Sequence, residues 1–133
     1  MKKWSTDAGL LALRVLAGLG MATHGYGKLF TEGRMEGFAE GVAAMGFPLP
    51  VVFAWLAALS ELAGGLLLAA GLFTRYAAFL IFGTMTVAAF VAHAGDPFAE
   101  RELALLYWSV SLAFMLTGGG KFAVERLFKK SKR

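Results

Sequence analysis

The sequence contains no cysteine and has few charged residues. Without cysteine the chain cannot form disulfides, carry out thiol redox chemistry, or bind zinc or an iron–sulfur cluster through thiolates. Charged residues make up 17% of the chain, against about 25% in ordinary soluble domains. Apolar residues make up 58%, which is more than 133 residues can bury behind their own surface. The composition therefore excludes a disordered chain and predicts that a bilayer covers the excess apolar surface.

Four apolar segments approach the roughly 20 residues that a membrane-spanning helix needs. They cover residues 8–29, 51–73, 76–94 and 103–117. The segments do not alternate strictly between polar and apolar residues, which favours helices over the strands of a β-barrel. Arg14 inside the first segment, and the lack of a clear A-x-A cleavage site, argue against a removed signal peptide. The sequence therefore predicts one all-α domain over residues 1–133, an integral membrane four-helix bundle.

The connection between the first and second segments has a helical pattern of its own. Its apolar residues recur at helical spacing: Met35, Phe38, Ala39, Val42 and Met45. We expect a short amphipathic helix at the membrane interface between transmembrane helices one and two, with a plain surface loop as the alternative. The connection at Thr74–Arg75 is so short that the second and third helices should be antiparallel neighbours.

Basic residues are divided unevenly between the two sides of the predicted bundle. With four spans both termini share a side, and that side carries nine basic residues: Lys2, Lys3, Arg75, Lys121, Arg126, Lys129, Lys130, Lys132 and Arg133. The opposite side carries three: Lys28, Arg34 and Arg101. The positive-inside rule then places both termini, with a basic tail over residues 118–133, in the cytoplasm of a plasma-membrane protein. On so apolar a chain the basic residues favour membrane lipids as partners, and nucleic acid is not expected.

Ionisable residues within a span are costly and usually face the bundle interior. The predicted spans contain five of them: Arg14, His24, Lys28, Glu61 and His93. At about 1.5 Å of rise per residue, Arg14 and Glu61 differ in depth by about 7 Å, which an extended arginine can cover. We therefore expect a buried Arg14–Glu61 ion pair, with His24 as the alternative partner of Glu61. Such a pair either takes part in function or only fixes the register of the helices.

The outer half of the predicted bundle combines hydrogen-bond donors with aromatic residues. His24, Lys28 and His93 can donate, and Trp55 and Trp108 can supply aromatic walls. Such a cavity suits a flat, lipid-soluble ligand, and a quinone (ubiquinone or menaquinone) fits because its carbonyl oxygens accept hydrogen bonds. Quinone reduction also needs a proton source, which histidine can be near neutral pH. For His24 a satisfied core histidine is the structural alternative, and His93 can simply be solvated.

Two sets of residues are therefore candidates for ligand binding and for catalysis. The candidate ligand-binding residues are Arg14, His24, Lys28, Trp55, Glu61, His93 and Trp108. The candidate catalytic residues are His24, Lys28, Glu61 and His93. No metal site is predicted.

Three stretches of the sequence form a recognisable combination. Arg14 is followed by His24-Gly25-Tyr26-Gly27-Lys28-Leu29; the next stretches are Glu61-Leu62-Ala63-Gly64-Gly65-Leu66-Leu67-Leu68 and Gly71-Leu72-Phe73-Thr74-Arg75, and His93 closes the third span. Together they resemble the DoxX family of small bacterial four-helix membrane proteins over nearly the whole chain. The ending Gly118-Gly119-Gly120-Lys121-Phe122 departs from the Gly-Pro-Gly-Arg-Tyr ending of the family, which weakens the match there.

The resemblance implies a bacterial inner-membrane protein. It also implies a redox function, because some members of the family are linked to quinone-dependent sulfur oxidation and others to redox stress or quinone handling. Related four-helix proteins include thiol–quinone enzymes. This chain has no cysteine and so cannot carry out their thiol chemistry. We therefore expect a quinone-binding or quinone-linked subunit of a membrane oxidoreductase that works with a separate redox partner protein. Homo-oligomerisation suits so thin a bundle. The alternative is a non-enzymatic small-solute or proton carrier, or a membrane scaffold.

Overall fold

The computed structural model describes residues 3–131, and most of that range is helical. Its α-helices are α1 (Lys3–Phe30), α2 (Arg34–Ala44), α3 (Pro50–Ala70), α4 (Thr74–Val87), α5 (Phe98–Thr117) and α6 (Glu125–Ser131). A π-helical segment, Ala88–Ala92, continues α4. The described range contains no strand, so the all-α prediction is confirmed there, as is a short helix between the first two long ones.

Three of the helical stretches are long and apolar enough to cross a membrane: Trp4–Phe30, Pro50–Ala70 and Thr74–Ala92. Their outward surfaces carry large apolar side chains such as Leu16 and Phe79, which are 73% and 60% exposed. Such apolar surfaces are stable in contact with lipid, whereas their exposure to water costs free energy. Helix α5 contains the predicted fourth segment but begins at Phe98. The number of spans and the side of the termini therefore stay predictions, and Lys2, Lys132 and Arg133 lie outside the described residues.

Helices α1 and α3 pack closely because glycines face each other across the contact. A methyl group added at Gly18 would lie 2.6 Å from the backbone nitrogen of Ala69 and 2.6 Å from the carbonyl oxygen of Gly65. A methyl group added at Gly65 would lie 2.5 Å from the carbonyl oxygen of Gly18. Small residues that let two backbones approach are typical of helix packing within membranes.

Replacing Gly18 with alanine should therefore force α1 and α3 apart. We expect the free energy of unfolding to fall by about 1–3 kcal/mol, the usual cost of overpacking. Thermal unfolding of the purified protein in detergent measures the change. Gly9→Ala on the same helix is the matched control, because a methyl group there meets nothing within 4 Å. Equal stability of the two variants would contradict this account of the contact.

The connection between α3 and α4 is a tight turn over residues 71–73. Helix α3 ends at Ala70 and is capped by Gly71 in the left-handed conformation (φ 76°), as helices commonly are by glycine. Helix α4 begins at Thr74, and the two helices pack together as antiparallel neighbours. The turn lies slightly earlier in the chain than the predicted Thr74–Arg75.

The segment after α5 folds back over this turn instead of leaving the bundle. The amides of Val124 and Glu125 donate to the carbonyls of Ala70 and Gly71, each at 3.1 Å. The carboxylate of Glu125 accepts a hydrogen bond from the amide of Thr74 at 3.2 Å. We call this region, residues 118–125 packed over the α3–α4 turn, the closed end of the bundle. The first part of the predicted basic tail is therefore folded structure, and its cytoplasmic location stays a prediction.

Candidate functional site

Arg14 lies in the interior of the closed end and is 2% exposed. Its guanidinium donates to the carbonyl of Gly119 at 2.7 Å, of Ala69 at 3.2 Å and of Phe122 at 3.5 Å. The negative charge of Glu125 also acts on it. These carbonyls belong to the end of α3 and to the returning segment, where backbone acceptors lack helical partners.

The expected Arg14–Glu61 ion pair is therefore wrong. The guanidinium turns toward carbonyl groups at its own level, and the carboxylate of Glu61 is already occupied from the other side. Lys28 Nζ lies 2.6 Å from Glu61 Oε2 and 2.8 Å from Glu61 Oε1. His24, the alternative partner of Glu61, does not reach it either. Its ring meets the ring of Tyr107 edge-on at 5.9 Å between centroids.

The Lys28–Glu61 pair connects three helices. Glu61 comes from the middle of α3 and is 2% exposed, whereas the Lys28 side chain, near the end of α1, is 17% exposed. Lys28 Nζ also lies 4.7 Å from the centroid of the Phe38 ring on α2, a distance typical of a cation–π contact. Breaking a buried pair strands a charge in a medium of low dielectric constant, so the two residues fix each other in place.

This ion pair lies in the wall of a cavity of about 540 Å³ between α2, α3 and α4. Most of the lining is apolar. The lining residues are Lys28, Phe38, Val42, Met45, Phe47, Phe53, Leu56, Ala57, Ser60, Glu61, Phe79, Leu80, Gly83, Thr84, Val87, Ala88 and Ala92. The hydroxyl of Thr84 donates to the carbonyl of Leu80 within its own helix. Lys28 and Glu61 are thus the charged groups that a ligand in this cavity would meet.

The cavity is bordered by residues that also face outward. Phe53 and Leu56 on α3 are 39% and 54% exposed, and Phe79 and Leu80 on α4 are 60% and 40% exposed. Both helices belong to the stretches that are apolar enough to cross a membrane. On the opposite side α2 covers the cavity with Phe38, Val42 and Met45. The part of the cavity wall formed by α3 and α4 therefore adjoins the apolar outer surface of these two helices.

The two histidines lie apart from the cavity lining. His24 is exposed on α1 and contacts Tyr107. His93 follows the π-helical segment, and its Nδ1 lies 3.0 Å from Asp96 Oδ2, with both side chains 40% exposed. The structure thus brings together Lys28 and Glu61 of the candidate residues and leaves the histidines elsewhere. Ligand contact by either histidine stays a prediction.

The two candidate tryptophans are also outside the cavity lining. Trp55 borders a separate recess of about 410 Å³ between the adjoining ends of α1, α2 and α3. The Trp108 indole donates to the hydroxyl of Thr86 at 3.0 Å and contacts the rings of Phe82 and Phe90. Trp108 therefore joins α5 to α4 behind the cavity wall, and its predicted contact with a ligand stays untested.

Two helical segments line the cavity although the sequence did not predict that they would. One is α2: its apolar stripe predicts an interfacial helix, and the structure adds that Phe38, Val42 and Met45 of this stripe line the cavity. The apolar stripe is the sequence signal that this face of α2 is covered by other residues or by lipid. The other is the π-helical segment, which supplies Ala88 and Ala92 to the lining. Arg101 Nε donates to the carbonyl of Ala89 in that segment at 3.1 Å, and no sequence pattern indicated this contact.

The long apolar helices and the lack of strands in residues 3–131 define the class: a helical membrane protein. Residues 9–94 match the DoxX family model, so the chain belongs to the DoxX family, as its motifs predicted. The match includes Arg14 and both members of the Lys28–Glu61 pair.

Proteins from three bacteria are similar to the chain over most of its length. It is 32% identical to "Inner membrane protein YqjF" of Escherichia coli (strain K12), with 98% of each chain covered. It is 35% identical to an uncharacterized protein of Haemophilus influenzae, with 91% of each covered. It is also 35% identical to "Putative oxidoreductase CatD" of Bacillus subtilis (strain 168), over 97% of this chain and 93% of the relative. No solved structure matches the chain.

Proposed function

We propose that this protein is a quinone-binding subunit of an oxidoreductase system in the bacterial inner membrane, with the quinone ring in the cavity between α2, α3 and α4. One observation carries the proposal: an apolar cavity of about 540 Å³ opens between membrane helices and contains one ion pair. Ligand cavities commonly measure about 300–1,000 Å³ and combine apolar walls with few polar groups. The relatives named as an inner membrane protein and as an oxidoreductase agree with this function.

The ion pair suits a carbonyl ligand. The Lys28 ammonium has three N–H groups, and the two oxygens of Glu61 accept hydrogen bonds from it. The ammonium therefore retains donor capacity toward a quinone carbonyl on its partly exposed side. Glu61 balances the charge of Lys28, so the site favours a neutral acceptor over an anion. The ring would lie near Phe38 and Phe79, and an isoprenoid tail would leave past Leu80 into the bilayer.

The proposal includes the arrangement in the membrane. Helix α5, with 20 residues, supplies the fourth span, and both termini lie in the cytoplasm by the distribution of basic residues. Helix α2 then lies at the outer interface above the cavity. The side chains that line the cavity are not redox-active, so electrons reach the quinone from a separate redox partner protein.

A cavity-filling variant tests the proposal without touching the ion pair. Gly83 lines the cavity, and a methyl group there meets nothing within 4 Å, so Gly83→Leu adds bulk without a backbone clash. We expect purified wild-type protein to bind ubiquinone-1 or a short-chain menaquinone in equilibrium dialysis. Gly83→Leu should weaken binding by about tenfold or more, which corresponds to about 1.4 kcal/mol.

The matched control is Gly9→Leu, at another membrane-helix glycine whose added methyl group meets nothing within 4 Å. It lies outside the cavity lining and should bind as the wild type does. Two results would contradict the proposal. One is the lack of quinone binding by the wild type, and the other is an equal effect of both glycine substitutions.

A proton carrier is the second candidate, and the observation that favours it is the buried carboxylate of Glu61 beside an open cavity. A carrier of this kind would move protons across liposomes without quinone and would lose that flux in Glu61→Gln. Flux that survives Glu61→Gln would contradict a relay through this carboxylate.

A further inference from the structure

We propose that the closed end of the bundle binds the phosphate headgroup of an anionic phospholipid between Arg75 and Arg126. This site is separate from the cavity and does not depend on the quinone proposal. Both arginines line a recess of about 150 Å³, together with Tyr76, Thr117, Gly118, Gly119 and Glu125. A recess of this size admits a headgroup and excludes a whole lipid.

The two arginines are available to a ligand. Both are exposed, and within the described residues neither has a carboxylate partner within 4.0 Å. The guanidinium of Arg75 lies across Gly118, where an added methyl group would be 3.5 Å from its Nε and 3.7 Å from its Nη2. These distances are ordinary van der Waals contacts, so the guanidinium packs directly against Gly118. Arginine forms paired hydrogen bonds to phosphate, which gives such a site geometry as well as charge.

The one carboxylate in the recess is directed to the protein interior. Glu125 accepts a hydrogen bond from the amide of Thr74 and interacts with the buried charge of Arg14. Because Arg14 balances it, Glu125 leaves the charges of Arg75 and Arg126 uncompensated. The recess therefore has a net positive charge toward the outside.

The surroundings of the recess favour a lipid as the source of the phosphate. Tyr76 is 75% exposed, Phe73 is 60% exposed and Phe122 is 47% exposed, and all three lie at the same end of the bundle. An exposed tyrosine such as Tyr76 beside basic residues is typical of the level of the headgroups in a membrane. A phosphate held by the arginines would place the acyl chains of its lipid along the apolar outer surface of α4.

The experiment compares lipids on the purified protein in a neutral detergent by native mass spectrometry. We expect phosphatidylglycerol to bind and phosphatidylcholine to bind much less, because its choline cancels the negative charge. The double variant Arg75→Gln/Arg126→Gln should weaken phosphatidylglycerol binding by about 30-fold, which equals about 2 kcal/mol for two basic residues near an anionic headgroup. Arg75→Lys, which keeps the charge but not the paired hydrogen bonds, should retain part of the binding.

The control removes the same number of charges elsewhere. Lys121, at the same end of the bundle, and Arg34, on α2, are exposed and do not line the recess. Lys121→Gln/Arg34→Gln should bind phosphatidylglycerol nearly as the wild type does.

Equal losses in the two double variants would overturn the site in favour of general charge attraction. Displacement of the lipid by millimolar inorganic phosphate, or equal binding of phosphatidylcholine, would overturn the preference for an anionic lipid. Unaltered melting temperatures separate lost binding from lost folding.

Discussion

Replacing Lys28 with methionine should lower the free energy of unfolding by about 3–5 kcal/mol, since it leaves the charge of Glu61 buried without a partner. Glu61 is 2% exposed, and both of its oxygens accept hydrogen bonds from Lys28. Methionine keeps most of the volume of the lysine stem, so the loss reports the charge and not a new void. Unfolding of the reconstituted protein in denaturant, followed by circular dichroism, measures it.

The double variant Lys28→Met/Glu61→Leu separates the cost of a stranded charge from the value of the pair. Replacing both members of a buried pair with apolar residues is often neutral or stabilising. We therefore expect the double variant to be more stable than Lys28→Met alone and close to the wild type. Equal stability of the single and double variants would show that the carboxylate of Glu61 is not the source of the loss.

The double variant Lys28→Met/Glu61→Leu also tests the role of the ion pair in quinone binding. Because it should keep its fold and lose the charged groups of the cavity, it separates a requirement for the ion pair from a requirement for stability. Quinone binding that persists at wild-type strength would contradict the assignment of Lys28 as the hydrogen-bond donor. It would leave the cavity itself, which Gly83→Leu tests, as the remaining basis of the proposal.

Replacing Arg14 with glutamine should destabilise the closed end by about 3–5 kcal/mol, because it leaves buried carbonyl groups without donors and Glu125 without a nearby positive charge. Arg14 donates to carbonyls of Ala69, Gly119 and Phe122, and glutamine is too short to reach across this set. Thermal unfolding measures the loss, and limited proteolysis should cleave the segment 118–131 earlier than in the wild type.

Arg34→Gln provides the comparison for this result. Arg34 is an exposed arginine, and surface substitutions usually change stability by less than about 0.5 kcal/mol. Arg14→Lys should fall between the two, because it keeps the charge but cannot donate to all of the carbonyls at once. If Arg14→Gln and Arg34→Gln have the same stability, the carbonyl contacts of Arg14 do not hold the closed end together.

The sequence singled out the charges within the apolar segments, but its pairing of Arg14 with Glu61 is wrong. Arg14, Lys28 and Glu61 were conspicuous as charges within apolar segments, and the structure does place Arg14 and Glu61 inside the protein. Their depths along the helices could not decide the pairing, because long side chains reach several ångströms in either direction. The acceptors of Arg14 are backbone carbonyls, which every residue possesses, so no pattern of residue types could reveal them.

The cavity and the closed end were beyond prediction for a different reason. A cavity is a gap between side chains of separate helices, and its volume depends on helix spacing that hydrophobic periodicity does not encode. The run Gly118-Gly119-Gly120 has no periodicity, so the return of this segment onto the turn after α3 left no sequence signal. The apolar stripe of α2 did predict a helix, but it did not distinguish a helix that faces lipid from one that covers a cavity.

The two ends of the bundle are held by contacts of different kinds, and this has an evolutionary consequence. At the closed end Arg14 joins backbone groups from distant parts of the chain, so a change there disturbs the frame of the whole molecule. Helix α2 is instead connected through Gly33 and Gly46, both with positive φ, and it presents Phe38, Val42 and Met45 to the cavity. Under the proposed function, substitutions on its inner face should change ligand preference with little effect on the closed end. We therefore expect relatives to differ more along this 11-residue helix than around Arg14.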